Sequence, residues 1–324
     1  MSLALAPPLK PQLALSRKEL PVGEDYMYEV KLDGFRCIAF VDGRDLFLQS
    51  RSGKPLSRYF PELAFPAGRY VLDGEIVVRD GDGREDFDAL GQRIHPAASR
   101  IERLAVETPA VYVAFDLLAR EEDSLLELAF AERRSALQRL LAGDGLAAGE
   151  GFDGAPVELM ASTREPQDAR RWLEHAEGAI AKERSAPYRP GERKGMVKVK
   201  RVRTIDAVLV GWRPGKEPDT VGALILGLYD GPELRVVGHC SGLSAAEKKR
   251  LVGFFAAYET GQRGSADPSR WSAGKDLEWV ALRPELVVEI DFDHVSAGRI
   301  RHGAKLCRWR EDKPPGECTY DQLR

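Results

Sequence analysis

The sequence has little cysteine and no long hydrophobic run. No two cysteines form a Cys-x-x-Cys pair, because all four are scattered along the chain: Cys37, Cys240, Cys307 and Cys318. This spacing excludes a local zinc ribbon or finger and argues against a disulfide framework. No apolar stretch approaches the roughly 20 residues that a membrane span requires, and the N-terminal segment lacks the basic and hydrophobic regions of a secretory signal. We therefore expect a cytosolic protein with reduced thiols.

The chain also lacks the positive net charge that would predict a polyanionic partner. The chain carries 48 lysines and arginines against 51 aspartates and glutamates, for a net charge of −3. Two segments are nevertheless basic, with 11 cationic against 3 acidic residues over 182–216 and 6 against 2 over 299–313. Such local excesses indicate phosphate-binding surfaces, although an exposed charged surface without a ligand gives the same pattern.

Length and hydrophobic patterning predict two domains. A chain of 324 residues is long enough for two cores, at roughly 100–200 residues for each domain. Up to residue 201, predicted strands alternate with helices, including a hairpin that turns at Asp42-Gly43 and a helix over 125–143. From residue 204 onward, short strands with one helix are typical of an OB-type barrel. We predict an α+β domain over residues 1–201 and an all-β OB-fold domain over residues 202–324.

A lysine stands in a predicted strand near the N-terminus, in "YEVKLDGFR" over residues 28–36. Because successive side chains of a strand point to opposite faces, Glu29, Lys31 and Asp33 share one face, and Val30 and Leu32 take the other. A lysine between two acids is consistent with an exposed strand face. It is equally consistent with a nucleophile in a site that binds charged groups.

Three further motifs contain charged residues in suitable positions for such a site. In "VLDGEIVV", Asp73 and Glu75 share a face that suits ribose hydroxyls or a metal, and in "GMVKVKRV", Lys198 and Lys200 share a face that could hold a phosphate. Glu177 precedes a short apolar strand, where one carboxylate could ligate Mg²⁺ together with phosphate oxygens. Taken singly, each motif is also compatible with an exposed edge strand or helix end.

The order of these motifs along the chain is more specific than any one of them. They occur as "KLDGFR" (31–36), "SRSGKPL" (50–56), "LDGE" (72–75), "AFD" (114–116), "EGAIAK" (177–182), "VKVK" (197–200) and "RWREDK" (308–313). In this order they resemble the covalent nucleotidyltransferase superfamily. Within it, the chain is identified as a member of the compact bacterial ATP-dependent DNA ligases, of the ligase C type or the ligase module of ligase D.

The resemblance implies a fold and a reaction. The fold is a nucleotidyltransferase (adenylation) domain of antiparallel sheets with flanking helices, followed by the OB-fold barrel, with residues 201–204 as a hinge. The reaction uses ATP and Mg²⁺ or Mn²⁺: Lys31 attacks the α-phosphorus of ATP, and AMP passes to the 5′-phosphate at a nick in duplex DNA. The neighbouring 3′-hydroxyl then displaces AMP. A monomer that acts in DNA repair, replication or recombination, with a repair polymerase as partner, is the implied setting.

The resemblance also implies roles for residues that contact the nucleoside. Glu29 accepts a hydrogen bond from the adenine amino group, and Phe115 stacks on the ring. Glu75 holds the ribose, while Arg36 and Arg51 contact ribose or the nick phosphate.

Further implied roles concern the phosphates and the metal ion. Lys198 and Lys200 bind the α-phosphate, Glu177 binds the metal, and Asp33 lies near the metal and the 3′-hydroxyl. In the second domain, four residues match the motif that orients pyrophosphate while the lysine is adenylylated: Arg308, Arg310, Asp312 and Lys313.

Two alternative functions follow from the same residues. An RNA ligase or an mRNA-capping-type guanylyltransferase shares the lysine, the carboxylates and the OB domain, but the C-terminal run followed by "PPGEC" fits the DNA ligases better. A non-catalytic OB protein that binds nucleic acid would have lost Lys31, Glu177 or the basic run.

We also hypothesise that the basic loop Tyr188–Lys194 becomes ordered on DNA.

Overall fold

A computed structural model describes residues 3–144, 146, 151–265, 278–292, 295–296, 298–300 and 304–323. The chain forms two compact units, Met1–Arg201 and Val202–Arg324. None of the helices in these ranges is long and apolar enough to cross a membrane. All four cysteines are free.

The first unit contains a five-stranded sheet that carries the lysine motif at one strand end. Its strands are, in spatial order, Leu15–Ser16, Met196–Lys200, Gly178–Glu183, Tyr26–Val30 and Ser162–Thr163. The strand Tyr26–Val30 stops one residue before Lys31, whose N–H donates to the carbonyl of Gly178 at 2.9 Å. The expectation that Lys31 lies within the strand is therefore wrong. The partner strand begins at Gly178, so the ladder has no further residue with which Leu32 or Asp33 could pair.

The second sheet of this unit supplies the carboxylate and aromatic motifs. It runs in the order Asp45–Ser50, Phe35–Gly43, Gly68–Val78, Ala110–Arg120 and Asp123–Ser124, with Val157–Leu159 parallel to Ala110–Arg120. The predicted hairpin is present, but Asp42 pairs with Asp45, so the loop is Gly43-Arg44 rather than Asp42-Gly43. Gly43 adopts φ +64°, a conformation that favours glycine.

Helices cover the sheets of the first unit. They span Phe87–Gln92, Ala98–Glu107, Phe130–Leu141 and Pro166–His175, and a short 3₁₀ helix spans Ser57–Tyr59. The helix predicted over 125–143 begins later, at Phe130, and ends before Gly143. The helix Ala98–Glu107 was not predicted. The largest core of the unit packs the helix Phe130–Leu141 on the second sheet, through residues such as Leu72, Leu117 and Leu137.

The second unit is built around one long strand, Arg203–Pro214. The main sheet has the order Glu233–Cys240, Val221–Asp230, Arg203–Pro214, Glu278–Leu282 and Glu259–Ser265, and Val287–Phe292 joins Arg203–Pro214 to Lys305–Trp309. Short strands Val295–Ser296 and Arg299–Ile300 pair with each other. One α-helix, Ala245–Phe255, and 3₁₀ turns at Pro315–Glu317 and Tyr320–Leu323 complete the described part.

The long strand can serve three neighbours because it is irregular. Its register against Val221–Asp230 shifts between Leu209 and Gly211, and a bulge of this kind bends a strand. The helix Ala245–Phe255 begins with a capping box, in which Ser244 and Glu247 satisfy each other's backbone N–H groups. Its buried face, with Leu251 and Phe255, closes the core of the unit.

Candidate active site

A single cavity in the first unit brings together residues from distant motifs. Its volume is about 1140 Å³. Eight of the residues predicted for the site line it: Glu29, Lys31, Asp33, Arg36, Arg51, Glu75, Phe115 and Lys198. Lys200 and Glu177 are on or beside the strands that border it, and the other four predicted residues belong to the second unit.

Lys31 is held between two anchored apolar residues. Val30 and Leu32 pack against the buried cluster that contains Phe115 and Met160. The Nζ atom of Lys31 lies 3.3 Å from the carbonyl oxygen of Leu32. Gly34, which follows, is packed so closely on the neighbouring strand that a Cβ there would clash with the carbonyl oxygen of Ile76. The Asp33-Gly34 dipeptide therefore marks a close backbone approach beside the lysine, rather than an ordinary exposed turn.

The end of the cavity near Phe115 contains a buried carboxylate with one oxygen that accepts no hydrogen bond from the described residues. Glu29 is 2% exposed, and its Oε2 lies 2.7 Å from Nζ of Lys182. Oε1 lies 3.7 Å from Nη1 of Arg134 and has no hydrogen-bond partner among the described residues. Burial lowers the pKa of Lys182, which the charge of Glu29 opposes. Since Lys182 also lies 4.4 Å from the ring centroid of Phe115, this end joins an acceptor oxygen to an aromatic face.

Arg36 is fixed by a residue that we expected to contact ribose or a metal. Its Nε and Nη2 donate to Oδ1 and Oδ2 of Asp73 at 2.6 and 2.7 Å. Burial favours the neutral form of Arg36, but the Asp73 carboxylate more than offsets it and raises the pKa of Arg36. Asp73 is fully buried, with both oxygens engaged, so the expectation that it contacts ligand alongside Glu75 is wrong. Arg36 in turn lies 4.3 Å from the ring centroid of Phe115, within cation–π distance.

Glu75 is the half-buried carboxylate of the same strand and lines the cavity. Burial raises its pKa to about 7. Arg36 and Lys31 favour the ionised form, whereas Asp73 and Asp33 favour the neutral form. Glu75 is thus the acid in this motif that remains available for a ribose hydroxyl.

Cations gather at the other side of the cavity. Burial lowers the pKa of Lys198, and the positive charges of Lys200, Lys31 and Arg51 lower it further. Mutual repulsion of this kind is relieved when an anion binds among the cations. The four side chains therefore form a suitable site for a phosphate group.

Two acids near the lysine suit a hard metal ion. Burial raises the pKa of Glu85; the positive charge of Arg79 opposes the rise, and the negative charges of Asp33 and Glu177 add to it. Mg²⁺ commonly binds one or two carboxylates together with waters and substrate phosphates. The residues present therefore fit such an ion. Within the described ranges, no group of three or more His, Cys, Asp or Glu side chains could hold a metal ion.

In the second unit, the predicted C-terminal residues are organised by an acid that we did not predict. Nη1 of Arg310 lies 2.7 Å from Oδ1 of Asp206, and Nζ of Lys313 lies 3.4 Å from Oδ2. Arg310 also forms a two-point ion pair with Asp312, at 2.9 Å for both bonds. Nε of Arg308 lies 2.6 Å from Oε2 of Glu289, and the same oxygen lies 3.8 Å from Nη1 of Arg310. Residues 301–303 of the same basic segment lie outside the described ranges.

The loop Tyr188–Lys194 differs from our hypothesis. Tyr188 is buried, the N–H of Gly191 donates to the carbonyl of Pro11 at 3.2 Å, and the N–H of Leu13 donates to the carbonyl of Glu192 at 2.8 Å. The loop is thus already held in the chain alone, which contradicts ordering on DNA. The sequence analysis did not identify Tyr188 as a buried residue, because it lies in a basic loop that we expected to become ordered on DNA.

Comparison with known proteins gives a consistent result for both units. The family described as "ATP dependent DNA ligase domain" matches residues 10–200, and "ATP dependent DNA ligase C terminal region" matches residues 217–313. The chain is 41% identical over 345 residues to DNA ligase C1 of Mycolicibacterium smegmatis, and 42% identical over 352 residues to DNA ligase C of Mycobacterium tuberculosis. Each of these two alignments covers 100% of this chain and 96% of the relative.

A solved structure extends the likeness to three dimensions. A mycobacterial DNA ligase D complexed with ATP and MES is 27% identical and has a TM-score of 0.52, covering 96% of this chain and 98% of that one. The predicted fold class, an adenylation domain followed by an OB-fold domain, is confirmed by these matches.

Proposed function

Since this chain belongs to the ATP-dependent DNA ligase family, we propose that it seals nicks in duplex DNA through AMP attached covalently to Lys31. The observation that carries this assignment is the position of Lys31 in one cavity with Glu29 and Phe115 as well as the cations Arg51 and Lys198. The RNA ligase, guanylyltransferase and non-catalytic alternatives are not favoured, because the two halves of the chain match ATP-dependent DNA ligase families.

The first step is the adenylylation of Lys31. Nζ of Lys31 gives up a proton to solvent and forms a bond to the α-phosphorus of ATP, while the bond from that phosphorus to the bridging oxygen breaks and pyrophosphate leaves. Oε1 of Glu29 accepts a hydrogen bond from the adenine amino group, and Phe115 stacks on the base. Glu75 binds a ribose hydroxyl, and Arg36 contacts the ribose or the nick phosphate.

The charges around Lys31 serve the phosphates. Lys198, with Lys200 next to it, binds the α-phosphate and stabilises the negative charge of the transition state. Asp33 and Glu177 would hold Mg²⁺ or Mn²⁺, which when bound neutralises phosphate charge.

The two later steps consume DNA. The 5′-phosphate oxygen at the nick attacks the phosphorus of the lysyl-AMP, which frees Lys31 and forms a 5′-adenylate. The 3′-hydroxyl then attacks the 5′-phosphate, AMP leaves and the phosphodiester bond is complete. Arg51 contacts the ribose or the nick phosphate, and Asp33 is close to the 3′-hydroxyl in the last step.

The second unit contributes to the first step. Arg308, Arg310, Asp312 and Lys313 orient pyrophosphate as it leaves, and residues 201–204 act as the hinge between domains 1–201 and 202–324. We place the enzyme in the bacterial cytosol and nucleoid as a monomer that seals repair intermediates beside a repair polymerase.

Labelled nucleotides test the assignment of the nucleophile. Incubated with ATP and Mg²⁺, the chain should gain one AMP on the peptide that contains Lys31, and it should seal a nicked duplex. Lys31→Ala should abolish both, because no other amine replaces the nucleophile. Lys54→Ala, at a second lysine that lines the cavity, is the control and should keep the adduct. A Lys31→Ala variant that still seals nicks, or an adduct formed with GTP alone, would overturn the proposal.

A further inference from the structure

A buried tyrosine outside the cavity is hydrogen-bonded to the site. Tyr188 is 1% exposed, and its hydroxyl donates to Oδ2 of Asp73 at 2.6 Å. The same hydroxyl accepts a hydrogen bond from the backbone N–H of Gln12 at 2.9 Å. The hydroxyl is therefore both a hydrogen-bond donor and an acceptor, and it links Asp73 to the backbone of Gln12.

Asp73 is the residue that orients Arg36. Its two oxygens accept the two guanidinium bonds of Arg36, and Oδ2 accepts the Tyr188 hydroxyl as well. A carboxylate bound only by Arg36 could rotate together with the guanidinium. Tyr188 approaches the carboxylate from a different part of the chain. Its hydrogen bond therefore prevents the Asp73 carboxylate and the Arg36 guanidinium from rotating together. The guanidinium is thereby held against Phe115 at the cavity wall.

Tyr188 itself is placed rigidly. Its N–H donates to the carbonyl of Leu126 at 2.7 Å, and its ring lies 5.6 Å from the guanidinium carbon of Arg133. Arg133 is in turn locked by a buried two-point ion pair with Asp116, with bonds of 2.8 and 2.9 Å. A hydroxyl anchored in this way can fix the position of a neighbour without rearranging.

We propose that Tyr188 is a positioning residue for ligation, which acts through Asp73 to hold Arg36 ready for the nucleotide or the nick phosphate. This inference rests on the proposed function and extends it to a residue that touches no substrate. Its physical basis is preorganisation: a charged donor held in place before the reaction stabilises the transition state without a cost of reorientation.

Tyr188→Phe removes one hydroxyl and leaves the ring in place. Lysine adenylylation and the sealing of a nick that already carries a 5′-adenylate are measured separately, over a range of ATP concentrations. We expect Tyr188→Phe to slow the same step that Arg36→Lys slows, by about tenfold, the typical effect of losing a hydrogen bond to a charged group. The matched control is Tyr70→Phe, whose hydroxyl is equally buried and donates to the carbonyl of Pro66 at 2.6 Å. It should lose similar thermal stability and keep wild-type rates.

A double variant separates positioning from a general loss of stability. If Tyr188 acts through Arg36, adding Tyr188→Phe to Arg36→Lys should cause little further loss. Rates of Tyr188→Phe equal to those of Tyr70→Phe, or losses that multiply in the double variant, would overturn the inference. Should Tyr188→Phe fail to fold, Asp73→Asn carries the test, and wild-type kinetics in that variant would be equally decisive. A wild-type chain that forms no lysyl-AMP overturns the proposed function instead.

Discussion

Glu75 is an acid whose protonation changes near neutral pH. Its pKa is raised to about 7 by burial, with Asp73 and Asp33 adding to the rise and Arg36 and Lys31 opposing it. Between the ordinary pKa of a glutamate and this value, the folded chain binds a proton that the unfolded chain has released. The stabilising contribution of Glu75 is thus fully present at acidic pH and is lost as the pH rises through about 7.

Glu75→Gln should remove this dependence. We expect the free energy of unfolding of the wild type, relative to the variant, to fall by on the order of 3 kcal/mol between acidic pH and pH well above neutral. Urea denaturation of both proteins at several pH values, without nucleotide, measures the difference. Stability curves that run parallel over this range would show that Glu75 titrates normally.

At the level of single residues, strand alternation predicted which side chains share a face but not what they bind. It correctly grouped Asp73 with Glu75, yet the two have different partners, because Arg36 reaches Asp73 diagonally across the sheet. The hydrogen bond from Tyr188 joins residues 115 positions apart. Contacts of this kind arise from tertiary packing, which no local pattern contains.

The segment that follows the strand Tyr26–Val30 passes close to the second sheet of the first unit, and this close approach requires a glycine. A Cβ at Gly34 would clash with the carbonyl oxygen of Ile76 and lie 2.8 Å from Cγ of Glu75. These neighbours belong to a central strand, which cannot move cheaply. The position of Lys31, three residues earlier, is therefore tied to this close approach.

Gly34→Ala should displace the lysine, whereas an alanine at another glycine should not. Gly43, in the hairpin loop, adopts φ +64° with open space around its Cα, so Gly43→Ala should cost about 1 kcal/mol in stability and leave lysyl-AMP formation unchanged. Gly34→Ala should lower both stability and the rate of adduct formation, the latter by more than about tenfold if the nucleophile shifts by an ångström. Denaturation curves and labelled ATP measure the two quantities. Equal effects of both substitutions on the adduct would disprove the link.

Among the elements, those with strong periodicity or clear end signals were predicted, and those without were not. The strands Gly68–Val78 and Ala110–Arg120 have apolar stretches on both sides of their acidic residues, and Pro166 marks the start of its helix. The strand Glu259–Ser265 contains two glycines and no apolar alternation, so only its pairing with Glu278–Leu282 defines it. The helix Ala98–Glu107 buries Ile101 and Leu104, but Ala97 provides no capping side chain at its start and no glycine ends it.

The whole molecule consists of two units with separate cores. The main cluster of the second unit contains only residues beyond 204, and the clusters of the first unit contain only residues before 198. Chain length and the pattern of predicted strands and helices were enough to predict an α+β domain and an all-β domain. The order of motifs across the two parts was enough to identify the family, although each motif alone was compatible with an exposed surface.

The division of labour between the units predicts a step-specific defect. In the proposed reaction, pyrophosphate is released only when Lys31 is adenylylated, so a residue that orients pyrophosphate should matter for that step alone. The guanidinium of Arg310 is held in a fixed position by Asp206 and Asp312 within the second unit.

Arg310→Ala should therefore slow the formation of lysyl-AMP by about tenfold or more, yet seal a nick that already carries a 5′-adenylate at close to the wild-type rate. Asp206→Asn should give the same pattern more weakly, because it removes the negative charge that holds Arg310 and Lys313. Arg283→Ala is the matched control in the same unit, since Arg283 is paired at 2.7 Å with Glu285 on the surface and should affect neither step. A defect of Arg310→Ala that is equal in both assays would mean that the arginine contributes to DNA binding or to stability, rather than to the departure of pyrophosphate.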